Sequence, residues 1–297
     1  MKHRFLLFWA FLISAQILYG CDRCGCSLSG HYLNTLPQYR RHAVGMRWFY
    51  RGFSSDHHGG RFSTEHFHSV EGWGQFFPHP RLQVVGVLPV NYFYQAWEER
   101  RTLSQGIGDA VLLVNYRLWA HSWGEEEAWQ QQLWLGGGVK LPTGRFNTAL
   151  LQQGLHPNLQ PGTGSWDGLM SALYNFRYRN WGIAADALFR FNRENRIGYH
   201  YGHRLNSSVR LFYQTPKGSV RWLPTVGAAY EWADEDQNLG AQVRDTGGFC
   251  LWGHLGLETY SRRWSIGIAW QPPFWQHLGN GFLRAFGRVQ VNASLLL

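Results

Sequence analysis

The sequence predicts an all-β fold: an antiparallel up-and-down transmembrane β-barrel of about twelve strands. Three observations carry this. Apolar and polar residues alternate with period two over stretches of about nine residues. The connections between those stretches alternate between long and short. The composition is rich in glycine and rings and poor in charge, with 35 glycines, 16% aromatic and 16% charged residues among 297. Disorder needs few rings and much charge, and a helical bundle would be rich in Ala, Glu, Lys and Leu. A mean hydropathy of −0.33 excludes a polytopic helical membrane protein.

Lys2, His3 and Arg4 precede an apolar run, 5–15, that is too short to span a bilayer, which takes ~20 residues. Residues 1–20 read as a signal peptide of lipoprotein type. Leu18-Tyr19-Gly20-Cys21 resembles a lipobox and makes Cys21 the candidate lipidation site. An ordinary signal peptide cut nearby is the alternative. A Cys-rich segment follows over 21–41, and 42–297 is the expected barrel. Cys24 and Cys26 form a C-x-C pair suited to a Zn or Cu ion or to disulfide exchange. Two ligands do not complete a structural zinc site. Cys250 reads as a lone strand residue.

Strand candidates begin near 42–53, 62–77 and 81–96. In 110–120, Leu112, Val114, Tyr116 and Leu118 oppose Asn115 and Arg117. In 133–141, Leu133, Leu135 and Val139 oppose Trp134, Gly136, Gly138 and Lys140; in 170–179, Met170, Ala172, Tyr174 and Phe176 oppose Ser171, Asn175 and Arg177. The alternation continues through 181–191, 205–213, 220–232, 251–257, 264–270 and 289–297. Long connections fall near 54–61, 97–106, 143–165, 192–203, 233–247 and 271–281; short ones fall near 78–80, 121–128, 179–180, 215–218 and 261–263. An even strand number puts both termini on the periplasmic side. Trp and Tyr near strand ends suit interfacial girdles.

The polar faces are expected to line the lumen with Arg47, Arg117, Lys140, Arg177, Arg179, Arg190, Arg204, Arg210, Arg221, Arg284 and Arg288. Asp109, Asp186, Glu231 and Glu258 are the acids on those faces. Excess fixed positive charge favours anions; the alternative is that each arginine is paired and fills a narrow barrel. The net charge of +9 is spread along the chain rather than gathered in a patch, so nucleic acid is not an expected partner. The longest connection, 143–165, is a candidate constriction, with Arg145, Asn147, Gln152 and His156 as its polar residues; an ordered external loop is the alternative. His57, His58, His66 and His68, near Asp56 and Glu65, form a candidate metal-capturing mouth for Zn or Cu; a solvated polar loop is the alternative. Catalysis is not expected: the adjacent His-Ser pairs lack a third partner, and no phosphate loop or HExxH is present.

Four segments carry a family resemblance. They are Gly106-Ile107-Gly108-Asp109 with Asn115-Tyr116-Arg117-Leu118, then 135–144 ending Lys140-Leu141-Pro142-Thr143-Gly144, then Leu159-Gln160-Pro161-Gly162-Thr163-Gly164-Ser165-Trp166-Asp167, and Asn195 to Tyr199. Together they resemble the outer-membrane transporter family named for the meta-pathway of phenol degradation. The resemblance covers 81–297 and is strongest over 106–204. The Cys-rich start and the histidine loop resemble a Cys-rich N-terminal subgroup of these transporter-like proteins. The resemblance implies an outer-membrane barrel with a transport role and does not specify phenol. The expected function is a channel in the outer membrane of a Gram-negative bacterium. Small anionic or aromatic solutes would diffuse through an arginine-lined lumen, and outer-membrane lipids would surround it. A metal-handling accessory protein and a structural barrel with a filled lumen are the rival readings.

Overall fold

The computed structural model describes residues 41–57, 61–96, 101–123, 128–152, 156–216 and 218–297. The signal segment, Cys21, Cys24, Cys26 and His58 lie outside them. Twelve antiparallel staves form one closed sheet. They are β1 (Ala43–His57), β2 (Arg61–His79), β3 (Leu82–Ala96), β4 (Arg101–Ile107 continued by Val111–Trp123), β5 (Trp129–Lys140) and β6 (Asp167–Tyr178). The second half is β7 (Trp181–Phe191), β8 (Arg204–Tyr213), β9 (Arg221–Ala233), β10 (Gly248–Tyr260), β11 (Trp264–Gln271 continued by Pro273–Leu278) and β12 (Leu283–Leu296). Each stave pairs with the next, and β12 returns to β1 from Ala43↔Leu296 to Ser55↔Leu283. Closure leaves no open edge, which a sheet in hydrocarbon requires.

The alternation gives the wall two opposite faces. Outward residues such as Met46, Met170 and Trp181 are 62%, 58% and 54% exposed, while inward Glu65, Asn115 and Lys140 are 0–2% exposed. A water-soluble domain buries the first kind and exposes the second. This inversion fits a barrel whose outside faces lipid. Outward rings ring both ends. At the turn end Trp129 lies 4.1 Å from Tyr178 and Trp181 4.9 Å from Tyr213; at the loop end Phe249 lies 4.9 Å from Trp275.

Three of the connections expected to be long are mostly strand. β1 and β2 pair as far as His57↔Arg61, β3 and β4 as far as Ala96↔Arg101, and Pro273–Leu278 extends β11. Small polar residues such as Ser54, Ser55, Ser63 and Thr64 keep the ladder going where no apolar stripe marks it. The large connections are 141–166, 192–203 and 234–247. The last two are tied by a small sheet of Tyr199–His200, Gln237–Asn238 and Ala241–Gln242.

Two stave interruptions and a bulge re-aim side chains. β4 breaks at 108–110, where a Cβ on Gly108 would stand 2.6 Å from Asn91 Nδ2, and Asp109 turns into the interior. β11 breaks at Pro272, which lacks a ladder donor but accepts from Gly253 N at 2.8 Å. In β12 the register to β1 slips, with Gly52 opposite Gly287 and Phe53 opposite Ala285. Gly287 takes φ 151 there. The bulge inverts the face assignment on its far side. Arg288 therefore points inward while Arg284 points outward, which corrects its expected place on the lumen. Arg179 is also corrected: it sits exposed in the β6–β7 turn at φ 51, outside the barrel wall.

Candidate functional site

The described part of the inner wall is polar. Among the described residues it carries Arg47, Arg51, Arg117, Lys140, Arg177, Arg190, Arg204, Arg210, Arg221 and Arg288. Against them stand Glu65, Glu71, Asp109, Asp167, Asp186, Glu231 and Glu258. Glu65, Glu71 and Asp167 are not among the acids expected on the lumen face, Glu65 being grouped with the histidine mouth; their inward aim follows from parity once the staves are fixed. Arg47 meets Glu71 and Arg210 meets Asp186, each at 2.9 Å. Arg288 pairs with Glu231 and lies 4.4 Å over the Trp252 ring. Arg117 stacks 5.6 Å from the Trp134 ring. At the turn end, a cavity of about 350 Å³ is lined by Arg117, Arg177, Gln130, Gln132 and Asn175. A second, of about 260 Å³, is bordered by Arg41, Arg221 and Arg262.

The four segments that carry the family resemblance meet in one polar clasp at the loop end. Lys140, the last residue of β5, puts Nζ 2.9 Å from Asp109 Oδ2 and 2.6 Å from Asp167 Oδ2. It also bonds the Thr163 hydroxyl. Asp109 in turn accepts from Gly144 N and Thr163 N, each at 2.9 Å. Asn195 Nδ2 donates to Thr163 O at 2.9 Å, and its Oδ1 accepts from Ile197 N and Tyr199 N. The chain crosses itself here with the two glycines touching. A Cβ on Gly144 would stand 2.6 Å from Gly162 Cα and from Asp109 Oδ1. The glycines of Thr143-Gly144 and Pro161-Gly162 are thus required by contact.

The clasp roots a segment that folds into the barrel. From Gly144 the chain runs through the short helix Thr148–Gln152 and the 3-10 turn Pro157–Leu159, then returns at Gly162. Leu159 is 3% exposed and packs in a socket made by Phe53, Phe67, Phe93, Cys250, Trp252, Leu278 and Leu283. Those residues come from β1, β2, β3, β10, β11 and β12, across the lumen from the clasp on β4–β6. Asn158 Nδ2 donates to Asp236 Oδ2 at 2.9 Å, and Tyr199 OH donates to the same oxygen at 2.8 Å. Asn91 Nδ2 donates to Pro161 O at 2.9 Å. The segment is therefore fastened at its root, at its tip and along its return.

Three of the residues expected to do the narrowing, Arg145, Asn147 and His156, make local contacts within the segment and at its root. Asn147 Oδ1 caps the short helix by accepting from Ala149 N at 3.0 Å, and His156 Nδ1 caps the 3-10 turn through Asn158 N at 3.3 Å. Arg145 lies against Gly106 of β4, its N donating to Ile107 O at 2.8 Å. The Gln152 side chain lies outside the described residues. Leu159, which sits in a turn-rich stretch with no period, is the residue that reaches across.

Of the four candidate histidines, the two whose side chains are described, His66 and His68, do not face the lumen. His66 and His68 point out of the wall from β2, in a set of stacked rings. Tyr50 OH and His66 Nδ1 are 2.9 Å apart, Trp48 lies 5.9 Å from His68, and His66 6.2 Å from Tyr94. Among the described residues, no three His, Cys, Asp or Glu side chains converge as metal ligands do. The His57 side chain lies outside the described residues, as do both cysteines of the C-x-C pair.

No family model and no curated protein matches the sequence. Solved structures do. An outer-membrane channel from Pseudomonas putida F1 superposes with a TM-score of 0.61 at 12% identity, over 86% of this chain and 96% of that one. The likeness is one of fold. Two other barrels superpose less well. The translocator domain of the autotransporter NalP from Neisseria meningitidis gives a TM-score of 0.45 at 8% identity, and the CymD monoaromatic hydrocarbon channel 0.41 at 7%. Each covers 86% of this chain and 88% of its own.

Proposed function

We propose that the chain is an outer-membrane channel for small organic anions, and that it belongs with the transporter family its four motif segments resemble. The observation that carries this reading is the inward segment rooted by Lys140, with Leu159 seated above a lumen whose inner wall, among the described residues, holds more bases than acids. A barrel with only a structural role has no need of a built-in constriction. The arginine-bordered cavities at the turn end are a second basic zone on the same route. Fixed charge of one sign raises the local concentration of the opposite ion and sets selectivity. A solute with an apolar body and a carboxylate suits the sequence of zones, apolar at the Leu159 socket and basic below it.

Single-channel recording in a planar bilayer under a salt gradient tests the reading. Discrete openings with an anion-selective reversal potential are expected. A silent bilayer from folded protein would sink it and favour the filled barrel, for which the ion pairs of Arg47, Lys140, Arg210 and Arg288 speak.

In this reading the turns and both termini lie in the periplasm, with Cys21 as the lipid anchor, and the three large connections lie outside. Leu239, 78% exposed between β9 and β10, is the reporter. Leu239→Cys is expected to react with a membrane-impermeant maleimide on intact cells. Labelling only after the envelope is broken would reverse the orientation.

A further inference from the structure

Among strand residues whose side chains are described, the outward face carries two charged groups, Arg284 and Arg101, both exposed and both at the loop end. Pairing links them in one row. Arg284 faces Ser54 of β1, Ser54 faces Thr64 of β2, Thr64 faces Ala96 of β3, and Ala96 faces Arg101 of β4. Four inter-strand steps separate the two arginines by roughly 19 Å along the wall. The row also climbs, because barrel strands tilt. Its counterpart lower down shows the direction: Ala43 begins β1, while Leu113 of the row Ala43–Gln75–Val85–Leu113 stands well above the end of β4 at Trp123. Arg101 is thus the higher of the two.

Beneath the row the outward surface carries rings with polar atoms beside Phe286, which is 50% exposed. Tyr50, His66, His68 and Tyr94 stand side by side on the outward face, with Tyr50 OH and His66 Nδ1 2.9 Å apart. A Cβ on Gly52 would stand 2.6 Å from the Phe286 ring and 2.9 Å from Tyr50 OH, so the glycine leaves room for both just below Ser54. Below these rings the same wall turns apolar at Trp48, Val70 and Val90.

We propose that this flank of β12–β1–β2–β3–β4 is a docking site for a multiply phosphorylated glycolipid of the outer leaflet. Its acyl chains would lie on the apolar wall, its sugars on the tyrosine and histidine edges, and separate phosphates on Arg284 and Arg101. The spacing favours this partner over a phospholipid. One phosphate cannot reach both arginines, and guanidinium–phosphate bonds are strong because both partners are charged. His66 and His68 then belong to a sugar-facing surface rather than to a metal site. The proposal rests on the orientation given above, with the large connections outside.

Full-length folded protein in detergent, titrated with lipopolysaccharide and read by native mass spectrometry, tests it. Wild type is expected to retain the glycolipid at least about tenfold better than the Arg284→Gln/Arg101→Gln double variant. Arg179→Gln, at the opposite end, should behave as wild type, and the double Arg→Lys variant should keep most of the binding. Dephosphorylated lipopolysaccharide and phosphatidylglycerol should compete about tenfold less well. Equal retention by the double glutamine variant, or equal competition by phosphatidylglycerol, would overturn the assignment. Heat-modifiable gel mobility verifies that each variant is folded. Conductance of the double variant should equal wild type, so loss of glycolipid binding and loss of channel activity are read separately. The Leu239→Cys labelling reports separately on orientation.

Discussion

Replacing Lys140 by methionine is expected to be the most damaging single substitution in the loop-end half of the barrel. Methionine keeps the length of the side chain and removes its charge. Lys140 is 2% exposed, and Asp109 and Asp167, which both bind its ammonium, are 6% and 3% exposed. Without the cation two carboxylates face each other in a site closed to water. Removing one partner of a buried pair costs about 3–5 kcal/mol, because the other charge is left uncompensated. The damage spreads, since Asp109 also holds Gly144 N and Thr163 N, the outgoing and returning arms of the inward segment. Urea unfolding followed by gel mobility should show a lower midpoint, and channel recordings should show a noisy, frequently opening pore. Adding Asp109→Asn and Asp167→Asn to Lys140→Met removes the uncompensated charge and keeps oxygen acceptors for both backbone donors. The triple variant should recover most of the lost stability. An unfolding midpoint unchanged in Lys140→Met would show that the clasp does not root the segment.

The clasp also shows how far the sequence could be read. Period two identified nearly every stave, because a wall between lipid and a polar interior imposes one residue type on each face. The strings around Asp109, Lys140, Gly162 and Asn195 stood out by composition, with glycines and hydroxyls in unusual density. Nothing in the strings said that they touch. Asp109 and Asp167 come together through the closing of β4, β5 and β6, a long-range event with no local trace. Arg284 was misplaced for a related reason. Its alternation with Arg288 is correct for an unbroken strand, and the bulge at Gly287 breaks it. A lone glycine in a strand pattern is the available hint of a bulge. β12, like other staves here, carries glycine in its pattern, so the hint does not single out the place.

The histidines illustrate a different limit. His66 and His68 sit two apart, so a shared face was legible, but which face was not. Inward residues on β2 are Glu65, Phe67, Ser69 and Glu71, a mixed row, and the outward row of His66, His68 and Val70 is mixed as well. With polar groups on both sides, the pattern loses its power to orient the strand. Pairing with Tyr50 and Tyr92, whose own staves are better marked, decides it.

Replacing 147–160 by two glycines is expected to give the largest change in conductance. The cut keeps Asp109, Lys140, Gly144 and Gly162, so the clasp still closes the root. It removes Leu159 from the socket and Asn158 from Asp236. The wall itself stays closed through its backbone ladder, which does not involve the segment. Unitary conductance should rise several-fold, with the anion preference retained because the inner-wall arginines are untouched. Leu159→Ala separates obstruction from flexibility. Truncating a buried leucine costs about 2–5 kcal/mol of local packing, while the hydrogen bonds of Asn158 and Pro161 persist. That variant should open more often without a larger unitary step, because the backbone of the segment still crosses the lumen when seated. A cut barrel that conducts like wild type would place the narrowest point elsewhere. The packed inner wall around Arg51, Glu231 and Arg288 would be the next place to look, since Arg288 bridges Glu231 and Gln271 across three staves.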